Sequence, residues 1–181
     1  MPPTQSGGME IGMKKYYLIR VIYENKDCFL IWYSNGEDGF LLLEQKILMF
    51  KDLNEIKKYA EKQGFLLETE ITVYNFSNII DLINNIKLSE NCHTLLDAWN
   101  FFSDLAKTLN EVFIGDSEEE LIMDIYDKLF HGSNLKVLKR DEEYHPTFDY
   151  EESQKCVSIF LNVLSILDRH FNIEKNNLYK L

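Results

Sequence analysis

Three carboxylates in the second half of the chain have a spacing that could support chemistry. Glu120, Asp124 and Asp127 follow one another at steps of four and three residues, which places them along one side of a predicted helix. Such a row could bind a divalent cation or provide a general acid and a general base. It could also form the solvated face of the helix, or an electrostatic surface for a partner. The solvated face is the simpler interpretation, and a contact surface is compatible with it.

Motifs typical of catalytic and metal sites do not occur in the sequence. No Gly-rich phosphate loop precedes a predicted helix, and neither a GxSxG elbow nor an HExxH helix is found. Cys92 and His93 form one adjacent pair, whereas metal sites usually combine ligands from two close pairs. A buried thiol beside a capping histidine is the simpler interpretation. The sequence predicts no metal site, no cofactor and no catalytic residue, and therefore not an enzyme.

The charge is distributed unevenly along the chain. The 181 residues include 30 acidic and 19 basic side chains, a formal net charge of −11. Residues 116–152 contain 12 acidic and four basic side chains, a local charge of −8. This balance disfavours nucleic acids and anionic membranes as ligands, and it favours encounter with a basic protein. The predicted partner-binding residues are Glu118, Glu119, Glu120, Asp124, Asp127, Asp141, Glu142, Glu143 and Tyr144.

Tyr144 is the aromatic member of this predicted surface. Tyrosine offers a large contact area at a low cost in side-chain entropy, and this property favours it at interfaces. The alternative is that Tyr144 packs against the last two helices of the chain. The sequence leaves both interpretations open.

The periodicity of apolar residues divides the chain into a strand-rich first half and a helical second half. Strands are predicted at 16–23, 28–33, 40–43, 47–50 and 70–74, with one helix at 52–64. Helices are predicted at 77–86, 94–109, 118–130 and 150–171, with Ser117 as the cap of the third. The predicted fold class is α+β: an N-terminal antiparallel sheet of four or five strands with one helix, followed by a helical C-terminal half.

The length suits a single domain, which we place at residues 14–173. Residues 1–13 are expected to form a flexible leader or a remnant of expression, and residues 174–181 are expected to fray. The most apolar stretch, 40–50, is interrupted by three polar residues and is too short to span a membrane.

The cysteines indicate a reducing compartment. Cys28, Cys92 and Cys156 are far apart in sequence and odd in number, whereas disulfide frameworks normally use an even set. We therefore predict free thiols and a cytoplasmic location.

Two stretches resemble segments of a known family. Residues 95–106 (LLDAWNFFSDLA) and 126–135 (YDKLFHGSNL) are similar to segments of immunity proteins from bacterial contact-dependent growth inhibition and polymorphic-toxin systems. In these systems a cell delivers a toxic domain, often a nuclease, and protects itself with a small cytosolic binder. The resemblance implies an inhibitor without catalytic residues of its own.

The function implied by the resemblance is binding and neutralisation of a cognate toxin C-terminal domain, with a basic nuclease as the expected class. An acidic surface fits this role, because a nuclease presents a basic substrate cleft. Two alternatives stay open at this point. One is a small metal-dependent hydrolase that uses Glu120, Asp124 and Asp127, and the other is a non-catalytic adaptor.

Overall fold

The computed structural model describes residues 14–24, 26–79, 90–133 and 144–171, and it places strands in the first half and helices in the second. The strands are β1 (Lys15–Tyr23), β2 (Lys26–Ser34), β3 (Gly39–Phe40), β4 (Leu42–Leu43), β5 (Lys46–Ile47) and β6 (Leu67–Asn75). The helices are α1 (Leu53–Gln63), α2 (Cys92–Leu109), α3 (Glu120–Gly132) and α4 (Tyr150–His170), with a 3-10 helix at Ile114–Asp116. The predicted α+β class, with its N-terminal sheet, single helix and helical C-terminal half, is confirmed.

The sheet is mixed, with strand order β3-β2-β1-β6. β1 and β2 form the predicted antiparallel hairpin, in register from Lys15↔Ser34 to Tyr23↔Lys26. β6 instead pairs with β1 in parallel, with Leu18 opposite Ile71. The prediction of a wholly antiparallel sheet is therefore wrong at this pair. The chain returns through α1 before β6 begins, and a helical crossover of this kind brings a strand back in the same direction.

Helix α1 begins and ends at the residues that the sequence predicts. The Asp52 carboxylate accepts hydrogen bonds from the amides of Asn54 (2.7 Å) and Glu55 (3.0 Å). Gly64 takes the left-handed conformation at the other end, with φ of 71°, which glycine adopts without steric cost. The Glu55 side chain accepts from the amide of Lys51 (2.9 Å), the residue just before the Asp52 cap.

Both faces of the sheet are covered by helices. Leu18 and Ile31 face α1 and form a small cluster with Ile56. The alternate residues Ile19 and Leu30 face the other way and join a larger cluster with α2, α3 and α4. Each large side chain buried in this cluster contributes about 1.5–3 kcal/mol to folding, so the core fixes the helical half onto the sheet.

The helical half differs from the prediction at its caps. The expected cap Ser117 is wrong for α3, because the 3-10 helix comes first and α3 begins only at Glu120, after Glu119 in the N-cap position. The Ser117 hydroxyl accepts from the amide of Glu119 (3.2 Å) and so orders the short link between the two helices. α4 begins with a complete capping box formed by Asp149 and Glu152.

Three predictions about the ends and elements of the chain fall on residues beyond those described. These are the leader at 1–13, the end at 174–181 and most of the helix at 77–86, of which 80–86 lie outside the described ranges. Across the described residues, no helix combines the length and the apolar composition needed to cross a membrane.

Candidate protein-binding surface

Exposed acidic side chains lie along α3 and in the residues just before it. Glu118 precedes the helix, and Glu120, Asp124 and Asp127 lie on its outer side; we call these four residues the acidic stripe. The inner side of α3 carries the fully buried apolar residues Ile122, Ile125 and Leu129. The helix is therefore amphipathic, and its apolar side holds the acidic stripe in place.

The acidic stripe keeps its charge uncompensated within the described part of the chain. Neither a side-chain hydrogen bond nor an ion pair to another described residue is present at Glu118, Glu120, Asp124 or Asp127. Glu119, which the sequence also places on this surface, differs because its carboxylate lies 2.8 Å from the Lys155 ammonium on α4. Its charge is thus partly neutralised inside the molecule.

Tyr144 extends this surface beyond the C-terminal half of α3. His131 follows Asp127 by one helical turn, and its ring meets the ring of Tyr144 edge to face, with 6.3 Å between the centroids. Tyr144 remains 42% exposed, so it contacts α3 and still offers area to a partner. From Glu120 to His131 the helix rises about 16 Å. The predicted residues described so far therefore share one side of the molecule.

The remaining acidic residues of segment 116–152 do not all add to the surface charge. Asp141, Glu142 and Glu143 lie outside the described residues. Glu152 is only 6% exposed and is paired with Lys128, and Asp149 caps α4. The Glu152–Lys128 pair leaves the net charge of the segment at −8, because Lys128 is one of its four basic residues. The charge is offset instead at Glu119, which pairs with Lys155 from outside the segment.

The possible metal ligands do not cluster among the described residues. In the part of the chain that the structure describes, no group of three or more His, Cys, Asp or Glu side chains could hold a metal ion. Cys92 is buried, and burial raises the pKa of its thiol. The neighbouring His93 is exposed and its Nδ1 atom lies 2.9 Å from the Asp97 carboxylate. The two side chains of the Cys92–His93 pair are thus in different environments.

A second feature, which the sequence does not predict, is a cleft on the helical side of the sheet. A cavity of about 750 Å³ lies between the turn after β2 and the C-terminal half of α2. A smaller cavity of about 240 Å³ lies over β1, β2 and β6. Asp104 and Phe40 line both cavities, and we call the combined space the Asp104 cleft.

Asp104 is half-buried at the junction of these two cavities. Its Oδ2 atom accepts a hydrogen bond from the indole Nε1 of Trp32 at 3.1 Å. Burial raises the pKa of Asp104, and the negative charges of Asp38 and Asp116 raise it further, while the Trp32 hydrogen bond and Lys107 lower it. The carboxylate therefore lies in a partly desolvated position, near charges of both signs.

The wall of the cleft is fixed by a close approach between β3 and α2. The Thr108 hydroxyl accepts from the amide of Phe40 (3.1 Å) and donates to the carbonyl oxygen of Asp104 (2.7 Å). A Cβ atom at Gly39 would lie 2.8 Å from this hydroxyl and 3.0 Å from the Tyr33 oxygen. Only glycine allows this approach without a shift of the wall.

The segments that resemble immunity proteins form part of the core. Residues 95–106 lie within α2, and Leu95, Trp99, Phe102 and Leu105 are buried there. Of the second segment, residues 126–133 are described and include the buried Leu129. These stretches position the acidic stripe and the cleft, while their own side chains contribute mainly to packing.

Comparison with known proteins gives a likeness of fold. No protein-family model and no curated protein matches the chain. A solved structure, the crystal structure of the SatS C-terminal domain in complex with bromine, superposes with a TM-score of 0.52. It is 13% identical in sequence, and the match covers 86% of this chain and 91% of that chain. At this level of identity the similarity concerns the fold alone.

Proposed function

We propose that the chain is an immunity protein that binds and neutralises a cognate toxin, a basic nuclease domain, through the acidic stripe. The observation that carries this proposal is the exposure of Glu118, Glu120, Asp124 and Asp127 without an internal cation among the described residues. A carboxylate row whose only role is to face solvent would be stabilised by ion pairs with nearby lysines. No lysine of the described chain forms an ion pair with this row.

The dimensions of the acidic stripe suit a basic surface better than a single cation. Electrostatic screening at physiological salt has a length of about 8 Å, and the row on α3, from Glu120 to Asp127, spans about 10 Å. Separate parts of the row therefore act on separate positive groups of a partner. Complementary charge of this kind raises association rates by about 10–1,000-fold and selects the partner.

The proposal places the chain in the cytoplasm, where a delivered nuclease would act. It is supported by the cysteines, since Cys28, Cys92 and Cys156 are all buried thiols outside any disulfide. Buried free thiols agree with a reducing compartment.

The hydrolase alternative uses the same row in a different role. It requires Glu120, Asp124 and Asp127 to bind a metal together, and nothing among the described residues favours it. Calorimetry with magnesium, calcium and manganese tests this alternative directly. We expect no binding heat at millimolar metal, and binding that is lost in Asp124→Asn would support the hydrolase instead.

The test of the proposal uses the toxin domain encoded beside the gene. The purified toxin domain is mixed with the chain at increasing ratios, and both nuclease activity and complex formation are measured. We expect one stable complex and loss of nuclease activity at equimolar ratio. Full nuclease activity in excess chain, without a complex on gel filtration, would contradict the proposal.

A further inference from the structure

We propose that the Asp104 cleft binds the side chain of an arginine supplied by the basic partner. That the arginine comes from a basic toxin domain rests on the proposed function. The chemistry of the cleft can be tested without the toxin, so the two proposals can fail separately.

The first argument is room beside aromatic walls. The smaller part of the cleft, about 240 Å³, is lined by Tyr17, Trp32, Tyr74 and Phe101. The Tyr17 and Trp32 rings lie 5.2 Å apart, and the Tyr74 and Phe101 rings 4.8 Å apart. Aromatic faces carry negative potential and attract cations, and the planar guanidinium group also stacks on them.

The second argument is an acceptor that is incompletely used. A carboxylate offers about four lone-pair sites, yet the described residues give Asp104 one hydrogen bond, that from Trp32. No basic side chain of the described chain forms an ion pair with it. A guanidinium group could donate to the free oxygen while its plane rests on the neighbouring rings.

The third argument is the sign of the surroundings. Asp38 and Asp116 add negative charge near Asp104, and Lys107 adds positive charge on the side of the larger cavity. Lys14 and Lys107 line the larger part of the cleft, and Lys14 already lies over the Tyr33 ring, 3.4 Å from its centroid. The larger cavity thus holds cations of its own. The smaller cavity is lined by no basic residue among those described, and it is where an arginine would enter.

The cleft and the acidic stripe are connected through α2 and α3. Asn100, which lines the smaller cavity, accepts a hydrogen bond from the Tyr126 hydroxyl of α3 at 3.1 Å. Asp116, whose charge acts on Asp104, precedes Glu118 of the acidic stripe by two residues. One basic partner could therefore cover the stripe and insert an arginine into the cleft.

The test follows the indole N–H signal of Trp32 by NMR while N-acetyl-arginine methylamide is added. The chain has two tryptophans, so Trp32→Phe assigns the signals, and Trp99, buried in the core, is the internal reference. We expect a saturable shift of the Trp32 signal with little change at Trp99. The uncharged citrulline analogue should produce no saturable shift, and the lysine analogue should bind more weakly.

Variants separate the cleft from the acidic stripe. Asp104→Asn should weaken binding of the arginine probe about tenfold or more, the loss expected when one charge-assisted pair is removed. Asp127→Asn removes the same charge from the acidic stripe and should leave probe binding unchanged. An unchanged Trp99 signal in both variants shows that they are folded.

The outcomes distinguish this inference from the proposed function. Equal binding of the arginine and citrulline analogues, or an unaltered affinity in Asp104→Asn, would overturn the cleft as an arginine site. Toxin inhibition that survives Asp104→Asn at full strength would also overturn it, while leaving the proposed function intact. Binding of the probe that depends on Asp104, together with no toxin inhibition at all, would support the cleft and contradict the proposed function.

Discussion

The Lys128 ammonium on α3 donates hydrogen bonds to the Glu152 carboxylate on α4 and to the carbonyl oxygen of Thr147 (2.9 Å). Glu152 in turn accepts from the amide of Asp149 (2.8 Å). One buried carboxylate therefore completes the cap of α4 and fastens it to α3, the helix that carries the acidic stripe.

Removal of this carboxylate should destabilise the fold. In Glu152→Ala the Lys128 charge loses its partner and the cap of α4 loses one hydrogen bond. Because Lys128 is partly solvated, with 31% of its side chain exposed, we expect a loss of about 2 kcal/mol in the free energy of unfolding. Urea denaturation measures it. Glu151→Ala, one residue earlier and exposed, is the matched control and should cost less than about 1 kcal/mol; an equal effect would contradict this role of Glu152.

Acid should weaken the contact between the end of α2 and the end of α4. The Glu111 carboxylate receives a hydrogen bond from Arg169 and contacts His170, and these partners lower the pKa of Glu111 below its ordinary value. A carboxylate whose pKa is lowered in the folded state makes its full contribution to stability at pH values above its unfolded pKa. That contribution is lost as the pH falls through the lower, folded value.

The variant Glu111→Gln tests this linkage. Near neutral pH it should be less stable than the natural chain by about 1 kcal/mol, and the difference should shrink as the pH falls through the lowered pKa of Glu111. Stability is measured by urea denaturation at each pH, with Glu70→Gln, at an exposed position of β6, as the control. A difference that stays constant from neutral to acid pH would contradict the linkage.

The thiols should be unreactive in the folded protein. Burial raises the pKa of Cys28 and of Cys156 to about 12, so about one thiol in ten thousand is ionised at pH 8. We expect slow labelling by a thiol reagent in buffer and rapid labelling of three thiols in urea. Ser117→Cys, at an exposed position, supplies a fourth thiol that should react at once. Fast labelling of Cys28 or Cys156 in buffer would contradict the packing.

The fold was predictable where the signal is local. The Asp52 cap and the Gly64 stop of α1 follow from residue types at fixed offsets, and the structure has both. The direction of β6 was not predictable, because its sequence indicates a strand and says nothing of whether β1 lies beside it in parallel. That pairing joins Leu18 to Ile71 across many intervening residues, and only the path through α1 determines it.

The acidic surface of α3 was predictable only where it depends on spacing along one helix. Helical spacing places Glu120, Asp124 and Asp127 together, and all three are exposed. It does not show that Lys155 reaches Glu119 or that Glu152 is buried, because both contacts depend on how α4 packs against α3. The local charge of a segment is therefore a poor measure of the charge on the folded surface.

The Asp104 cleft was not predictable at all. Its central hydrogen bond joins Trp32 to Asp104, which are 72 residues apart. In the sequence, each belongs to a different amphipathic element and has an ordinary structural interpretation. Only the packing of α2 against the sheet brings the indole and the carboxylate together.

The most direct test of the account is the association rate of the chain with the toxin domain that we propose as its partner, at several salt concentrations. The variant Glu120→Lys, Asp124→Lys, Asp127→Lys reverses three of the four charges of the acidic stripe, and Glu68→Lys, Glu70→Lys reverses two exposed carboxylates of β6 as a control. We predict that the stripe variant associates at least tenfold more slowly at low salt and shows a much weaker salt dependence, while the control stays close to the natural chain. Equal rates for the natural chain and the stripe variant at every salt concentration would contradict binding through the acidic stripe.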